Sequence, residues 1–160
     1  MELLVVVMII LVIAAIAVPT FLHARMKANE ASAVASMKAI QTAEAAYNSA
    51  YPAVGYSGSL INLGRHGSTC ETPGPTNACL IMDDVLVSGI KDGYLFEIVS
   101  DGNTPSMSYI VTGVPISPGV TGGCGFSGGA SGQLTASVTS GSGSSGSGRS
   151  AFGGGSSGCD

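Results

Sequence analysis

The pattern of apolar and polar residues over the first third of the chain predicts one long helix with two chemically different halves. Residues 3–18 form an unbroken apolar run, and residues 20–51 contain neither glycine nor proline. From Arg25 onward, apolar side chains recur every three or four positions, as they do on the buried face of an amphipathic helix. We expect an apolar half over residues 1–24 and an amphipathic half over residues 25–51. The apolar stripe of the second half consists of Val34, Met37, Ile40, Ala43, Tyr47 and Tyr51.

This stripe should pack against the rest of the protein, because polar side chains largely avoid it. Those polar side chains are Lys27, Glu30, Lys38, Gln41, Glu44 and Asn48. A free coiled coil is the weaker interpretation, because the heptads are irregular and poor in leucine. Pro52 and Gly55 should end the helix, since neither residue favours a helix interior.

Residues 52–140 carry the turn signals and the alternation of a small globular head. The part up to residue 80 is rich in turn-forming residues and predicts a connecting loop. Residues 81–93 predict a short helix that ends at Gly89. Three later segments predict strands, namely residues 93–100, 106–116 and 132–140. We therefore predict an α+β fold in which the long helix packs on a small antiparallel β-sheet.

The last segment, residues 141–160, has the composition of a flexible linker. Between residues 139 and 158, eight residues are glycine and eight are serine, and such sequences behave as flexible coils. The segment nevertheless ends in Cys159 and Asp160. A cysteine at the end of a flexible tail suggests that the tail is tied to the head.

The charge content argues against a nucleic-acid partner. Charged residues make up 10% of the chain, and the net charge is −4. A nucleic-acid interface requires clustered lysine and arginine. The six basic residues of this chain are instead scattered: Arg25, Lys27, Lys38, Arg65, Lys91 and Arg149.

The cysteines favour disulfide bonds over a metal site. Four are present, none in a CxxC pair, and the two histidines do not complete the usual zinc ligand set. Disulfides imply that the head lies outside the cytoplasm. Cys70 and Cys79 flank turn-forming residues and should pair readily, which stabilises the fold by about 2.7 kcal/mol in the chain-entropy model. Four cysteines allow three pairings in all.

The sequence contains no catalytic constellation, so we predict a protein that is not an enzyme and that needs no cofactor. Its serines lack a GxSxG motif, and neither His23 nor His66 has an evident acid and nucleophile as partners. Carboxylates suit calcium, but the acids here lack EF-hand spacing. A solvated acidic face is therefore favoured, and no metal site is predicted. The acids concerned are Asp83, Asp84, Asp92, Glu97 and Asp101.

The apolar run is a candidate membrane span rather than a signal peptide. A signal peptide begins with basic residues, whereas Glu2 precedes this run. Residues 3–18 rise about 24 Å, and residues 20–22 extend them toward the roughly 30 Å of a hydrocarbon core. Arg25 and Lys27 would mark the membrane interface. Because basic residues favour the cytoplasmic side, an exported head needs another orientation signal, which a basic leader already removed would supply.

The segment ELLVVVMIILVIAAIAVP, residues 2–19, resembles the N-terminal signature of type IV pilins and of the pseudopilins of type II secretion. That signature is an acid, an unbroken apolar run and a proline seventeen residues after the acid, which matches Glu2 and Pro19. Residues 21–52 also resemble bacterial pilins. In the family, the acid is usually the fifth mature residue and follows a methylated phenylalanine. Only Met1 precedes it here, so we expect that the chain starts three residues late or that its processing differs.

The resemblance implies roles for individual residues. Glu2 would pair with the N-terminal amine of a neighbouring subunit and fix the axial register between subunits. Pro19 would mark the place where the helix kinks or unwinds. Unwinding is harder with Leu11, which stands where many family members have a glycine. The filament core would consist of Leu3, Leu4, Val5, Val6, Ile9, Ile10, Ile13 and Ile16.

The resemblance also bears on the remaining cysteines. Family members often close the C-terminal region with a disulfide, which agrees with a tail that ends in a cysteine. This favours a bond between Cys124 and Cys159, although Cys70 or Cys79 could also reach Cys159.

For function, the resemblance implies the major pilin of an extracellular type IV pilus, a helical homopolymer with roles such as adhesion or motility. Before assembly, a prepilin peptidase would process the chain in the bacterial inner membrane, and the pilus assembly machinery would then extract it. The alternative within the family is a major pseudopilin of type II secretion. Outside the family, a monomeric membrane-anchored binding module explains the span but not the spacing of Glu2 and Pro19. A secreted enzyme is disfavoured because no catalytic constellation is present.

Overall fold

The computed structural model describes residues 2–65, 70, 72–139 and 159, and for Glu2 it describes the backbone alone. The predicted tail over residues 141–160 therefore lies outside the described residues, apart from Cys159. The chain forms a long N-terminal helix and a head built on an antiparallel sheet. The predicted α+β class is confirmed.

The helix α1 (Glu2–Ala50) is continuous over 49 residues and contains Pro19. Its second half is rich in alanine, the residue with the highest helix propensity. The helix ends before Pro52, in a turn where the Val54 N–H donates to the carbonyl oxygen of Tyr51 at 2.9 Å. Gly55, with a φ of +84°, then turns the chain back toward the head.

The sheet has five antiparallel strands, and each pairs with the next in chain order. The longest pairing joins the second and third strands, from Tyr94 opposite Pro115 to Ser100 opposite Tyr109. The three predicted strands correspond to the second, third and fifth of these. The strands are β1 (Ile90–Lys91), β2 (Tyr94–Ser100), β3 (Tyr109–Pro115), β4 (Cys124–Gly129) and β5 (Leu134–Val138).

Two strands differ from the prediction. β4 has the sequence CGFSGG, and glycine is depleted in strands because it loses more entropy and packs no side chain. A Cβ added at Gly125 would lie 3.1 Å from the Thr139 side chain, so close packing explains that glycine. The segment predicted as one short helix over residues 81–93 contains α3 (Asp84–Val87) followed by β1. Gly89 separates the two, with a φ of +85°.

The core lies between α1 and the inner face of the sheet, with the short helix α2 (Leu60–Leu63) and α3 closing one side. Most of the predicted stripe is buried, although Val34 and Tyr51 are only partly buried. Ala33 is buried as well. The largest fully buried apolar side chains are Tyr47, Tyr94, Met37, Ile40, Leu63 and Val111.

Glu44 corrects the predicted polar face of α1. The prediction places it among side chains that avoid the stripe, but it is 0% exposed. It follows Ile40 by four positions and precedes Tyr47 by three, so it points to the same side of the helix as both. Position along the helix therefore overrides the preference of a carboxylate for water.

Two disulfides join the four cysteines. Cys70 bonds Cys79 at a sequence separation of 9, and Cys124 bonds Cys159 at a sequence separation of 35. The first pair is the one that the sequence predicts, and the second is the one that the resemblance to pilins favours. Cys124 is buried in β4, and Cys159 packs against the same core. Cys159 is thus bonded to the first residue of β4, the strand next to the edge strand β5.

Candidate assembly surface and its collar

The apolar half of α1 forms an exposed hydrophobic surface. The eight residues predicted for a filament core have exposures that range from 52% at Val6 to 83% at Leu3. They lie on all sides of the helix, and none of this stretch is buried against the head. Leaving one such side chain in water rather than burying it costs about 1.5–3 kcal/mol. A helix that is apolar all round requires lipid or other helices as its surroundings.

Length and composition allow this helix to cross a membrane. Residues 3–22 span about 30 Å at 1.5 Å per residue, which matches a hydrocarbon core. Backbone N–H and C=O groups within the helix pair with each other, so lipid does not leave them unsatisfied. The described surface therefore suits a bilayer and a bundle of helices equally well.

Pro19 lies inside the continuous helix. It has no backbone N–H, so the carbonyl oxygen of Ala15 receives no hydrogen bond from it. The hydroxyl of Thr20 donates to the carbonyl oxygens of Ile16 at 3.1 Å and of Ala17 at 2.9 Å. These bonds reach the two carbonyls that follow that of Ala15, so they do not replace the donor that Pro19 lacks. Unwinding at Pro19 in an assembled state stays a prediction, as does the role of Glu2, whose side chain lies outside the described residues.

Charged residues appear directly after the apolar half. The guanidinium of Arg25 lies over the ring of Phe21, 5.5 Å from its centroid. Lys27 forms an ion pair with Glu30 at 3.2 Å. Charged groups thus begin one turn beyond Phe21, where a helix that leaves a membrane would meet the headgroups.

Residues 116–123, here called the collar loop, connect β3 to β4 and reach back to α1. The side-chain amide of Asn29 donates to the Thr121 carbonyl at 3.0 Å, and the Gly123 N–H donates to the Glu30 carboxylate at 2.8 Å. A groove of about 270 Å³ lies between the loop and the helix. It is lined by Pro19, Leu22, His23, Met26, Gly119 and Val120.

Glu44 is the one buried carboxylate of the described core. Its Oε2 accepts the Ser57 N–H at 2.8 Å, whereas Oε1 has no hydrogen-bond partner among the described residues. Burial raises its pKa to about 7, and the bond from Ser57 opposes only part of that rise. Burial and the nearby Glu44 charge also raise the pKa of Tyr109 to about 12. With a pKa of about 7, the Glu44 side chain is close to balance between its neutral and charged forms at neutral pH.

The acidic residues of the head are engaged in local contacts. Asp83 accepts the Val85 N–H at the start of α3 and bonds Lys91 at 2.7 Å, which lowers its pKa. Asp84 pairs with Arg65 at 2.6 Å. Over residues 2–65, 70, 72–139 and 159, no three His, Cys, Asp or Glu side chains group as metal ligands.

Sequence reasoning does not identify the collar contacts or the burial of Glu44. Asn29 and Thr121 are 92 positions apart, and no local pattern links such distant residues. Glu44 did carry a signal, since its spacing from Ile40 and Tyr47 places it on the stripe. Its residue type led to the opposite prediction.

The chain matches no family model, no curated protein and no solved structure in comparisons of its sequence and fold.

Proposed function

We propose that this chain is the major structural subunit of an extracellular type IV pilus. The observation that carries the proposal is the apolar half of α1, which projects unburied from a folded, disulfide-bonded head. Such a surface has two successive environments in this proposal. It lies first in the inner membrane and then in a core made of the same helix from neighbouring subunits, while the heads cover the filament surface.

The residue pattern at the start of the helix supports assembly over simple anchoring. An anchor needs only a span, whereas the chain also has an acid before the apolar run and a proline seventeen positions later. In a dry helical core, an unpaired carboxylate costs several kcal/mol. Pairing Glu2 with the terminal amine of a neighbour would remove that cost at one axial register only. This gives the assembly a defined subunit spacing.

Two other functions are alternatives to the pilus subunit. A major pseudopilin of type II secretion would use the same helix in a short periplasmic filament. A monomeric membrane-anchored binding module would use the helix as a span and display the head. The long Gly/Ser segment before Cys159 is the sequence feature on which we favour the surface pilus over the pseudopilin.

The test is microscopy of filaments sheared from cells that produce the chain. Thin filaments should be visible by negative stain, and peptide mapping without reduction should find this chain in them, with Cys70 joined to Cys79. Cells that lack the chain serve as the control. Chain that stays in the membrane fraction, with sheared material free of it, contradicts the pilus and favours the anchored module.

A further inference from the structure

The tip of the collar loop is an exposed apolar feature at an unusual position. Val120 is 73% exposed, and residues 116–123 contain no charged side chain. Val120 and Gly119 line the groove against Pro19, Leu22 and Met26. These helix positions share the face that carries Met37 into the core, so the loop descends from the head along α1.

The level of the loop along α1 coincides with the end of the apolar half. Residues 3–22 span about 30 Å, the thickness of a hydrocarbon core. A bilayer that holds this segment therefore ends near Leu22, which lines the same groove as Val120. Arg25 follows within one turn, at the level where lipid phosphates would lie. The loop tip is thus placed beside the boundary between acyl chains and headgroups.

The backbone of the loop tip is already hydrogen-bonded within the protein. The N–H of Gly119 donates to Gly122 O at 2.8 Å, that of Val120 to Ser117 O at 3.0 Å, and that of Thr121 to the same oxygen at 2.9 Å. Removing water from unpaired backbone groups is expensive. Because these three donors are paired, moving the tip out of water leaves none of them unsatisfied.

The loop is also held in place rather than hanging from the sheet. Asn29 binds the Thr121 carbonyl, and Glu30 binds the Gly123 N–H. Both ties come from the helix that would enter the membrane. The position of the loop relative to the span is therefore fixed by direct contacts with the same helix, about two turns beyond Leu22.

We infer that, before assembly, the collar loop docks on the bilayer and places the Val120 side chain among the lipid chains at the interface. This second contact would fix the orientation of the head above the membrane. The partner is a phospholipid bilayer, recognised by an apolar, uncharged tip at the level of Arg25. The inference rests on the membrane stage of the proposed function.

The test uses single tryptophans in the full chain, which has no native tryptophan. Val120→Trp reports the loop tip, and Phe21→Trp reports the end of the span. Met107→Trp is the matched control, because Met107 is 77% exposed in the turn between β2 and β3, away from the collar. Each variant is reconstituted into vesicles of phosphatidylethanolamine and phosphatidylglycerol, with and without brominated acyl chains.

Brominated lipid should quench Val120→Trp and Phe21→Trp, with loss of most of the emission, and should leave Met107→Trp unchanged. Quenching of Phe21→Trp without quenching of Val120→Trp overturns the docking of the loop while leaving the membrane stage intact. A blue-shifted but unquenched Val120→Trp has the same meaning, since protein rather than lipid then covers the tip. If Phe21→Trp is also unquenched, the membrane stage of the proposed function fails as well.

Discussion

At the scale of single residues, Glu44 is the side chain whose environment and chemistry conflict most. Its carboxylate is fully buried, and only one oxygen has a hydrogen-bond partner among the described residues. A buried charge without a counter-charge favours its neutral form. The protonation of Glu44 should therefore be linked to the stability of the head.

The pH dependence of unfolding follows from this linkage. The Glu44 pKa is raised from 4.5 to about 7 in the folded chain, so the folded state holds the proton more tightly than the unfolded state. The contribution of the protonated Glu44 side chain to the unfolding free energy is complete below about pH 4.5 and is lost as the pH rises through about 7. This loss in unfolding free energy is on the order of 3 kcal/mol. Denaturant unfolding of the chain in detergent between pH 5 and pH 8 measures it.

Glu44→Gln should remove most of this pH dependence, because glutamine resembles the neutral carboxyl group. Glu97→Gln is the matched control, since Glu97 is an exposed residue of β2, and it should retain the parent's slope. Equal slopes for the parent and Glu44→Gln would show that Glu44 does not titrate as predicted.

Glu2 belongs to the same scale, although its role concerns assembly. Glu2→Ala removes the carboxylate that would pair with a neighbouring amine, but it leaves the apolar run intact. We expect membrane insertion to be unchanged and the yield of sheared filaments to fall at least tenfold, since roughly 1.4 kcal/mol changes an equilibrium by a factor of ten and an unpaired buried charge costs more. Filaments of Glu2→Ala as abundant as those of the parent would rule out the pairing.

At the scale of elements, the junction between α1 and the sheet depends on one glycine. Gly55 has a φ of +84°, and a Cβ added there would overlap the backbone of Ser106. Two hydrogen bonds frame this approach, from the Tyr56 N–H to Ser106 O at 3.1 Å and from the Ser106 N–H to Val54 O at 2.8 Å. The turn after α1 is thereby attached to the turn before β3.

Gly55→Ala should destabilise the head more than an ordinary glycine substitution. Gly102→Ala is the control, because Gly102 also has a positive φ of +75° but no atom near an added Cβ. The control should lose about 1–2 kcal/mol from the left-handed backbone alone. Gly55→Ala should lose at least about 2 kcal/mol more, from the overlap and the broken bonds. Equal losses in denaturant unfolding would show that the approach to Ser106 contributes nothing.

The sequence predicts those elements whose periodicity is unbroken. α1 follows from its apolar run and stripe, and β2 from alternation that buries Tyr94, Phe96 and Ile98. β4 escapes prediction because three of its six residues are glycine, and its pairing depends on neighbours that are distant in sequence. β5 is predicted as a strand from its clear alternation. The alternation does not show that β5 is an edge strand, in which Val138 is 49% exposed.

Of the candidate assembly surface, the sequence predicts the exposed apolar half but not the collar contacts. Exposure of the apolar half follows from composition, since a helix that is apolar all round has no face for the head to cover. The collar depends on Asn29 and Glu30 meeting a loop more than ninety positions away, at separations of 92 and 93. Only the folded chain brings those groups together.

At the scale of the whole molecule, the head and the apolar half of α1 are energetically separate. The core begins at Ala33, and the apolar half contributes nothing to it. Sites that are far apart and share no partners have additive effects. Changes in the apolar half before Pro19, where the collar groove begins, should therefore alter insertion and assembly without altering the stability of the head.

Ile9→Lys tests this separation. A lysine near the middle of the span costs about 2.5–3.5 kcal/mol on insertion scales, so the membrane-bound fraction and the filament yield should fall steeply. The thermal midpoint of the head, measured by circular dichroism in detergent, should be unchanged. Ala45→Lys is the control, an exposed position on the amphipathic half that should leave insertion normal. A lower midpoint for Ile9→Lys would contradict the separation.

The bond between Cys124 and Cys159 has a consequence for how the protein survives outside a cell. It closes a covalent ring across a sequence separation of 35 that includes the Gly/Ser-rich segment. A protease that cuts once inside this ring opens it but releases no fragment. Such nicked chains keep their full mass on a non-reducing gel and separate into two pieces only after reduction, so a single cut between Cys124 and Cys159 releases no part of the subunit.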